Sequence, residues 1–393
     1  MRTIGTVARG VRLPVIVKGD DLENIVVESV LNASDKENFQ LRDKDIIAIT
    51  EAVVARAQGN YATIDEIALD IERHFNGEPI GVVFPIFSRN RFSIILKAIS
   101  QATSKVYLQL NYPSDEVGNH IVSLDQIYEK DVDPHKDSYD EKEFREVFGN
   151  DTIHEFTGVD YIDFYKSMGD NIEITFCNDP RHILYYSKNV IACDIHTRKR
   201  TKRILQSAYH NKVITLDEIM NSPINGSGFN EEYGLLGSNK AGEEKVKLFP
   251  RNCKEFVNNV KNKIDEATGK DINVMVYGDG AFKDPIGKIW ELADPVVSPA
   301  YTEGLKGTTN ELKLKYLADT KFKDLKGEEL NRELAKYIGE KDISLVGQME
   351  SEGTTPRQIT DLVGSLCDLI SGSGDKGTPV VVVQGYFDNY SSL

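Results

Sequence analysis

An α+β fold is what this sequence predicts, on two observations. Short apolar runs of β-forming residues and segments with apolar residues at helical spacing are both plentiful. The two are intermixed without the regular alternation of a repeated parallel βαβ array. A central stretch, residues 121–165, changes composition and becomes rich in Asp and Glu.

The elements follow in order. Val11 to Val17 is a short strand candidate. Asp20 or Asp21 can then cap a helix that carries Leu22, Ile25, Val26 and Val30 on one side. Asp45 to Thr50 reads as a buried strand. Thr63 and Glu66 form a capping box ahead of Ile64, Ile67, Ala68 and Ile71. Val82 to Phe87 is a strand candidate, Phe92 to Ile99 a helix, and Glu141 to Phe148 a helix within the acidic stretch. Asn171 to Cys177 alternates as a strand. Lys188-Asn189 suggests a hairpin between Ile183 to Tyr186 and Val190 to Ile195. Thr215 to Glu218 is a second capping box, and Asn225 to Gly242 an extended loop. Cys253 to Ala267 is a helix with Gly269 past its end, and Asn273 to Tyr277 a strand feeding Gly278-Asp279-Gly280. A Lys/Glu-rich helical stretch from Thr309 to Tyr337, a helix from Thr355 to Ile370 and a buried strand from Pro379 to Val383 complete the chain.

Bulk composition bounds the function. The 393 residues are 40% hydrophobic and carry a net charge of -15. This fits a globular chain with a real core and argues against a nucleic-acid partner, because phosphate backbones attract basic faces. No apolar run approaches the roughly 20 residues that span a bilayer, and Met1 to Lys18 lacks the apolar stretch of a signal peptide. A cytoplasmic protein with no membrane partner is expected. Its four cysteines, Cys177, Cys193, Cys253 and Cys367, have no CxxC spacing and are read as reduced, buried thiols.

GxxxxGK(S/T), HExxH and GxSxG are all absent. With seven His, any metal would be held by oxygen ligands, which favours magnesium or manganese. Asp279, flanked by glycines after a buried strand, can approach a ligand closely, and Asp284 could share a metal with it. A glycine turn with an Asp bonded to its own backbone is the alternative there. Ser371 to Thr378 (SGSGDKGT) could cradle a phosphate with backbone N–H groups, or be a plain connection. Arg198-Lys199-Arg200 with Lys202 and Arg203 is a basic cluster that could grip an anionic substrate through Arg198 and Arg200, or be a solvated helix start.

Several of these segments together resemble the coenzyme F-420:gamma-glutamyl ligase family. Leu13-Pro14-Val15-Ile16 with Lys18 to Leu22 is similar to its opening LP.I..GDDL motif. Asp43 to Ile47 through Arg56-Ala57-Gln58-Gly59 resembles its second motif, and Gly372 to Val382 its closing GEGGDGIPAVVVRG. The resemblance implies an α+β fold, a homodimer, GTP (or ATP) and Mg2+ or Mn2+. It implies activation of a carboxylate as an acyl phosphate, then attack by the amine of glutamate. It places Leu13, Pro14, Val15, Ile16, Thr50, Arg56, Gly372, Ser373 and Gly374 around the nucleotide. Arg56 stands for a phosphate-facing Lys. Asp279 matches a metal-binding aspartate, and Asp115, with Asn119, matches another; Gly228-Phe229-Asn230 is the alternative match. Glu51-Ala52 and Ser373 depart from the pattern. Because this chain is longer than the usual members, the resemblance implies a ligase-like core in two parts, 1–120 and 226–393, around an inserted subdomain, 121–225. The small-molecule carboxylate is unnamed, and the long central insertion suggests an acceptor of its own. Two other readings stay open: another phosphoryl-transfer enzyme using Asp279 and Asp284 with magnesium, and a ligand-binding protein that has lost catalysis.

Overall fold

A computed structural model describes residues 4–149, 152–154, 158–208, 211–278, 282–283, 290–291, 298–341, 343–352, 354, 357–372 and 374–392. The chain divides into two compact units. Met1–Ala57, Asn252–Ala281 and Leu292–Leu393 form the first, and Gln58–Arg251 with Phe282–Glu291 forms the second.

In chain order the first unit opens with β1 (Val7–Val11), α1 (Leu22–Lys36), β2 (Ile46–Thr50) and α2 (Glu51–Gln58). The second unit supplies β3 (Tyr61–Thr63), α3 (Ile64–Phe75), β4 (Ile80–Val83), α4 (Phe92–Ala102), β5 (Val106–Leu110) and α5 (Leu124–Glu129). It continues with β6 (Tyr139–Asp140), α6 (Glu141–Phe148), α7 (Tyr161–Lys166), β7 (Ile172–Phe176), β8 (Asn189–Ala192), α8 (Arg198–Ala208) and β9 (Lys212–Thr215). After β10 (Asn239–Lys240) and β11 (Lys245–Lys247), the first unit resumes with α9 (Cys253–Thr268) and β12 (Asn273–Tyr277). A short pair, β13 (Phe282–Lys283) and β14 (Trp290–Glu291), precedes β15 (Ala300–Tyr301), α10 (Leu314–Asp319), α11 (Gly327–Gly339), α12 (Ile359–Ile370) and β16 (Val380–Gln384).

The first unit is built on a five-stranded sheet in the order β1-β16-β2-β12-β15. β2 and β12 run parallel, and the other pairs are antiparallel. Ile47, Ile49, Val274, Val276, Val380 and Val382 pack on α1 and α9. The alternate residues, Ile46, Ala48, Met275, Val381 and Val383, pack on Val363 and Cys367 of α12. Both faces are covered, so these strands read as unbroken apolar runs. The expected helix caps form: Asp21 accepts from Asn24 N, and Gly269 ends α9 in the left-handed region.

The second unit carries a six-stranded sheet in the order β6-β7-β5-β4-β8-β9. All its pairs are parallel except β6 with β7. From β4 the chain adds β5 and β7 on one side, then β8 and β9 on the other, so strand order reverses between β4 and β8. One face packs on α4, α6 and α7, where Phe144 stacks on Phe176 at 3.8 Å. The other packs on Leu205 of α8. The side chain of Gln58 bonds the backbone N and O of Arg251 (2.9 and 2.6 Å), clipping together the two ends of this long segment.

The mixed sheets and helices are those of an α+β protein, with three departures from expectation. The second unit begins at 58 and ends at 251 instead of at 121 and 225, because β4, α4 and β5 share a sheet with β7 and β8. The expected hairpin around Lys188-Asn189 is a 3-10 turn (Pro180–Tyr185) followed by β8, whose partners are the parallel strands β4 and β9. The first strand is Val7–Val11 rather than Val11 to Val17, because its register is set by β16.

Candidate active site

One end of the first unit's sheet gathers most of the expected nucleotide-contacting residues. Thr50 ends β2 beside Tyr277, the last residue of β12. Thr50 N donates to Pro379 O (2.9 Å), which joins this end to the start of β16. Leu13 N donates to Gly377 O (3.2 Å), bringing the segment after β1 against the closing loop. Arg56 Nε donates to Ile16 O (2.5 Å), so α2 holds the same segment from its other side. Ile16 is buried, while Val15 is 82% exposed and Pro14 is exposed. Leu13 to Ile16, Thr50, Arg56, Gly372 and Gly374 are thus linked through a few backbone hydrogen bonds. Arg56 is exposed, and its two Nη groups bond no described residue.

The closing loop turns back on itself through a bridge between Gly372 and Thr378. Gly372 is needed for that approach, since a Cβ there would stand 2.7 Å from Lys376 Cβ. Gly377 has φ +63°, the left-handed region. The amides of Gly374, Asp375 and Lys376 donate to no described group. Thr378 Oγ1 is buried with no hydrogen-bond partner among the described residues. The sequence reading named the backbone N–H groups of this loop as a possible phosphate cradle, but not the Thr378 hydroxyl. Their signal was the spacing of Gly372, Gly374 and Gly377, which leaves a run of backbone donors unused.

Two further side chains sit at this end. Glu51 opens α2 and is only 2% exposed. Burial pushes the Cys253 thiol up to about 12, and the Glu51 charge adds to the rise, so Cys253 is an inert thiol at neutral pH. The other three cysteines are buried and in no disulfide. Burial likewise holds the Tyr277 phenol protonated.

The remaining expected residues behave differently. Asp279, Asp284 and Ser373 lie outside the described residues. Asp115 lies in the second unit, in the loop after β5. Its carboxylate accepts from Phe87 N (2.7 Å), Asn119 Nδ2 (2.8 Å), Asn119 N (2.8 Å) and Val117 N (3.1 Å). Four N–H donors use its acceptor capacity, so Asp115 would have to release its own loop to ligate a metal. Burial raises it to about 6 despite these bonds. The alternative Asn230 is engaged too, donating to Phe249 O and Pro250 O and accepting from Glu232 N and Tyr233 N. Among the described residues no group of three or more His, Cys, Asp or Glu side chains is placed to hold a metal ion.

Neighbouring carboxylates of the second unit serve the loops as well. Glu116 accepts from the backbone N of Ile195 and of His196. Asp194 Oδ2 accepts from Thr197 Oγ1 (2.6 Å) and Thr201 Oγ1 (2.8 Å) at the start of α8. Burial raises both carboxyls. Arg198 is committed to Asp217 (2.9 Å) and to Ile195 O, which removes it from the expected substrate pair. Arg200 is exposed and pairs with no described residue.

Among the described residues no helix is long and apolar enough to cross a membrane. A search of curated proteins returns no match. The sequence model of one family, described as F420-0:Gamma-glutamyl ligase, matches residues 10–385, nearly the whole chain.

Proposed function

We propose, for a chain that belongs to the coenzyme F-420:gamma-glutamyl ligase family, a nucleotide-dependent reaction that joins a small-molecule carboxylate to the amine of L-glutamate. The acceptor carboxylate takes the terminal phosphoryl group of GTP or ATP and releases the nucleoside diphosphate. The amine nitrogen then attacks the acyl carbon, the C–O bond to phosphate breaks, and phosphate leaves as the nitrogen loses a proton. The amide stores what the phosphoanhydride supplied.

The observation that carries this reading is the closing loop with its unused amides, set against the Leu13 to Ile16 segment and Arg56 at one sheet end. Backbone donors in such a loop receive phosphate oxygens without a Walker sequence. The free Nη groups of Arg56 supply charge where the phosphoryl group carries it, and they present two parallel donors. Ile16 O, by holding Arg56 Nε, fixes the direction of that guanidinium. A magnesium or manganese ion would be held by Asp279 and Asp284 and would offset the phosphate charge. A homodimer is part of the same proposal.

The test is incubation with GTP or ATP, magnesium or manganese, glutamate and a panel of carboxylates, following new amides and released phosphate. Glutamate-dependent phosphate release together with an amide is the expected result. Release without an amide favours another phosphoryl transfer. Absence of any nucleotide-induced rise in melting temperature at millimolar concentration contradicts both and leaves a ligand-binding protein.

A further inference from the structure

The sheet of the second unit reverses its strand order between β4 and β8. Ligands of open α/β sheets bind outside the carboxyl ends of the strands at such a reversal. The loop that leaves β8 there begins Cys193-Asp194-Ile195-His196. Asp194 is 1% exposed. Its Oδ2 accepts from Thr197 Oγ1 (2.6 Å) and Thr201 Oγ1 (2.8 Å) at the start of α8. Its Oδ1 is also buried and has no hydrogen-bond partner among the described residues. The backbone N–H of Asp194 itself favours the charge, through a contact within one residue that is too bent for a full hydrogen bond. A buried carboxylate oxygen without a donor or a cation bears the full loss of its hydration.

A second carboxylate stands over the same stretch of chain. Glu116, from the loop after β5, accepts from Ile195 N and from His196 N (3.1 Å), the two amides that follow Asp194. Each of its oxygens takes one donor, so each keeps a lone pair. Burial raises the Glu116 carboxyl, and the charge of Asp194 raises it further. Burial raises Asp194 as well. Arg198 lies near enough to favour the Asp194 charge, yet its Nε goes to Asp217 and its Nη1 to Ile195 O. The His196 ring favours the Glu116 charge from an exposed position. Two buried carboxylates thus meet at the reversal, one of them with an oxygen that no protein donor takes.

The chemistry of an occupant follows from these atoms. The open positions are acceptors, so phosphates and carboxylates do not fit. Asp194 is covered, so the occupant is small. No third His, Cys, Asp or Glu side chain joins the two among the described residues, which leaves them short of the protein ligands of a zinc site. A hard divalent ion needs only one or two carboxylates and completes its shell with water. The partly exposed side of Glu116 admits that water. We propose that Asp194 Oδ1 and Glu116 hold a hard divalent cation of the magnesium or calcium class, which ties the loop after β5 to the start of α8. This site lies wholly within the second unit and does not rest on the ligase reading.

The test uses the full-length protein, freed of metal by chelation and kept free of nucleotide. Bound Mn2+, a paramagnetic substitute for magnesium, is measured by EPR, and melting temperature is followed against Mg2+ and Ca2+. The parent is compared with Asp194→Asn and Glu116→Gln, near-isosteric changes that keep an acceptor oxygen. Either variant alone suffices if the other fails to fold. The expected result is Mn2+ binding by the parent that is at least tenfold weaker in both variants, with a metal-dependent rise in melting temperature that both lose. Without metal the variants should melt at or above the parent, because each removes one of two buried like charges. Millimolar Mg2+ or Ca2+ should invert that order. Asp279→Asn should bind this ion as the parent does. No metal-dependent rise in the parent at millimolar concentration, or equal binding by the parent and both variants, overturns the proposal. Binding lost in Asp279→Asn and kept in Asp194→Asn also overturns it, by placing the ion elsewhere. Variants more stable than a parent that metal does not change would mean that a shared proton holds the pair, and the proposal falls. The ligase reading is judged apart, by nucleotide-induced stabilisation, and neither result decides the other.

Discussion

Two strand ends in this protein are built from opposite materials. At the end of the first unit's sheet the available groups are backbone amides of a glycine-bearing loop and one exposed guanidinium. In the second unit the loops beyond β5 and β8 are rich in carboxylates; Asp115 and Glu116 are consumed in holding those loops, and Asp194 serves its loop through Oδ2 alone. The contrast teaches that a buried aspartate near a strand end is weak evidence for a metal. What matters is whether its lone pairs are already taken. Free donors in a loop are the more informative sign.

The largest expected effect breaks the comparison on the carboxylate side. Asp115→Ala would leave four N–H donors without their acceptor. The expected loss is about 3–5 kcal/mol of stability, as for removing one partner from a buried charged network, measured by urea unfolding. Unchanged stability with lost metal-dependent turnover would instead restore Asp115 to a ligand role. On the backbone side, Gly377→Ala places a Cβ at φ +63°, which costs about 1–2 kcal/mol and should lower nucleotide affinity about tenfold. Asp375→Ala and Lys376→Ala should each stay within about 0.5 kcal/mol. If the side-chain deletions weaken nucleotide binding more than the glycine change, the loop does not act through its amides.

A titration sharpens the same contrast. The Asp115 carboxyl, raised to about 6, should show its midpoint there by carbon-detected NMR. The folded state holds this proton more tightly than the unfolded chain. Its stabilising contribution is therefore complete below the ordinary value of 3.8 and is lost as pH rises through about 6. A midpoint below 4 would mean the four donors outweigh burial. A small effect is expected at Arg198→Ala. It breaks a partly exposed pair with Asp217, worth about 1 kcal/mol or less by thermal unfolding.

Much of the fold was legible where the cause is local. The Asp21 cap, the Thr63 and Glu66 capping box, α9 with Gly269 and the apolar runs of β2, β12 and β16 all rest on residues a few positions apart. The misread elements depend on distant partners. β1 takes its register from β16, with Val7 opposite Gln384. β8 pairs with β4, more than 100 residues earlier, where Gly81 faces Val190. Lys188-Asn189 looked like a hairpin turn because nothing nearby shows that parallel pairing. The same limit applied to the site. Leu13 to Ile16, Arg56 and the closing glycines were readable as motifs. The commitment of Arg198 to Asp217 and of Asp115 to Phe87 joins residues that sequence spacing does not relate.

The most direct test is nucleotide binding by the parent and by Arg56→Ala, read as melting temperature against GTP or ATP with magnesium. At ten times the dissociation constant a ligand adds about 1.4 kcal/mol, so the parent should rise by several degrees. Arg56→Ala should fold normally and lose most of that rise. No rise in the parent at millimolar nucleotide, or an equal rise in both proteins, would contradict the placement of the nucleotide at this sheet end.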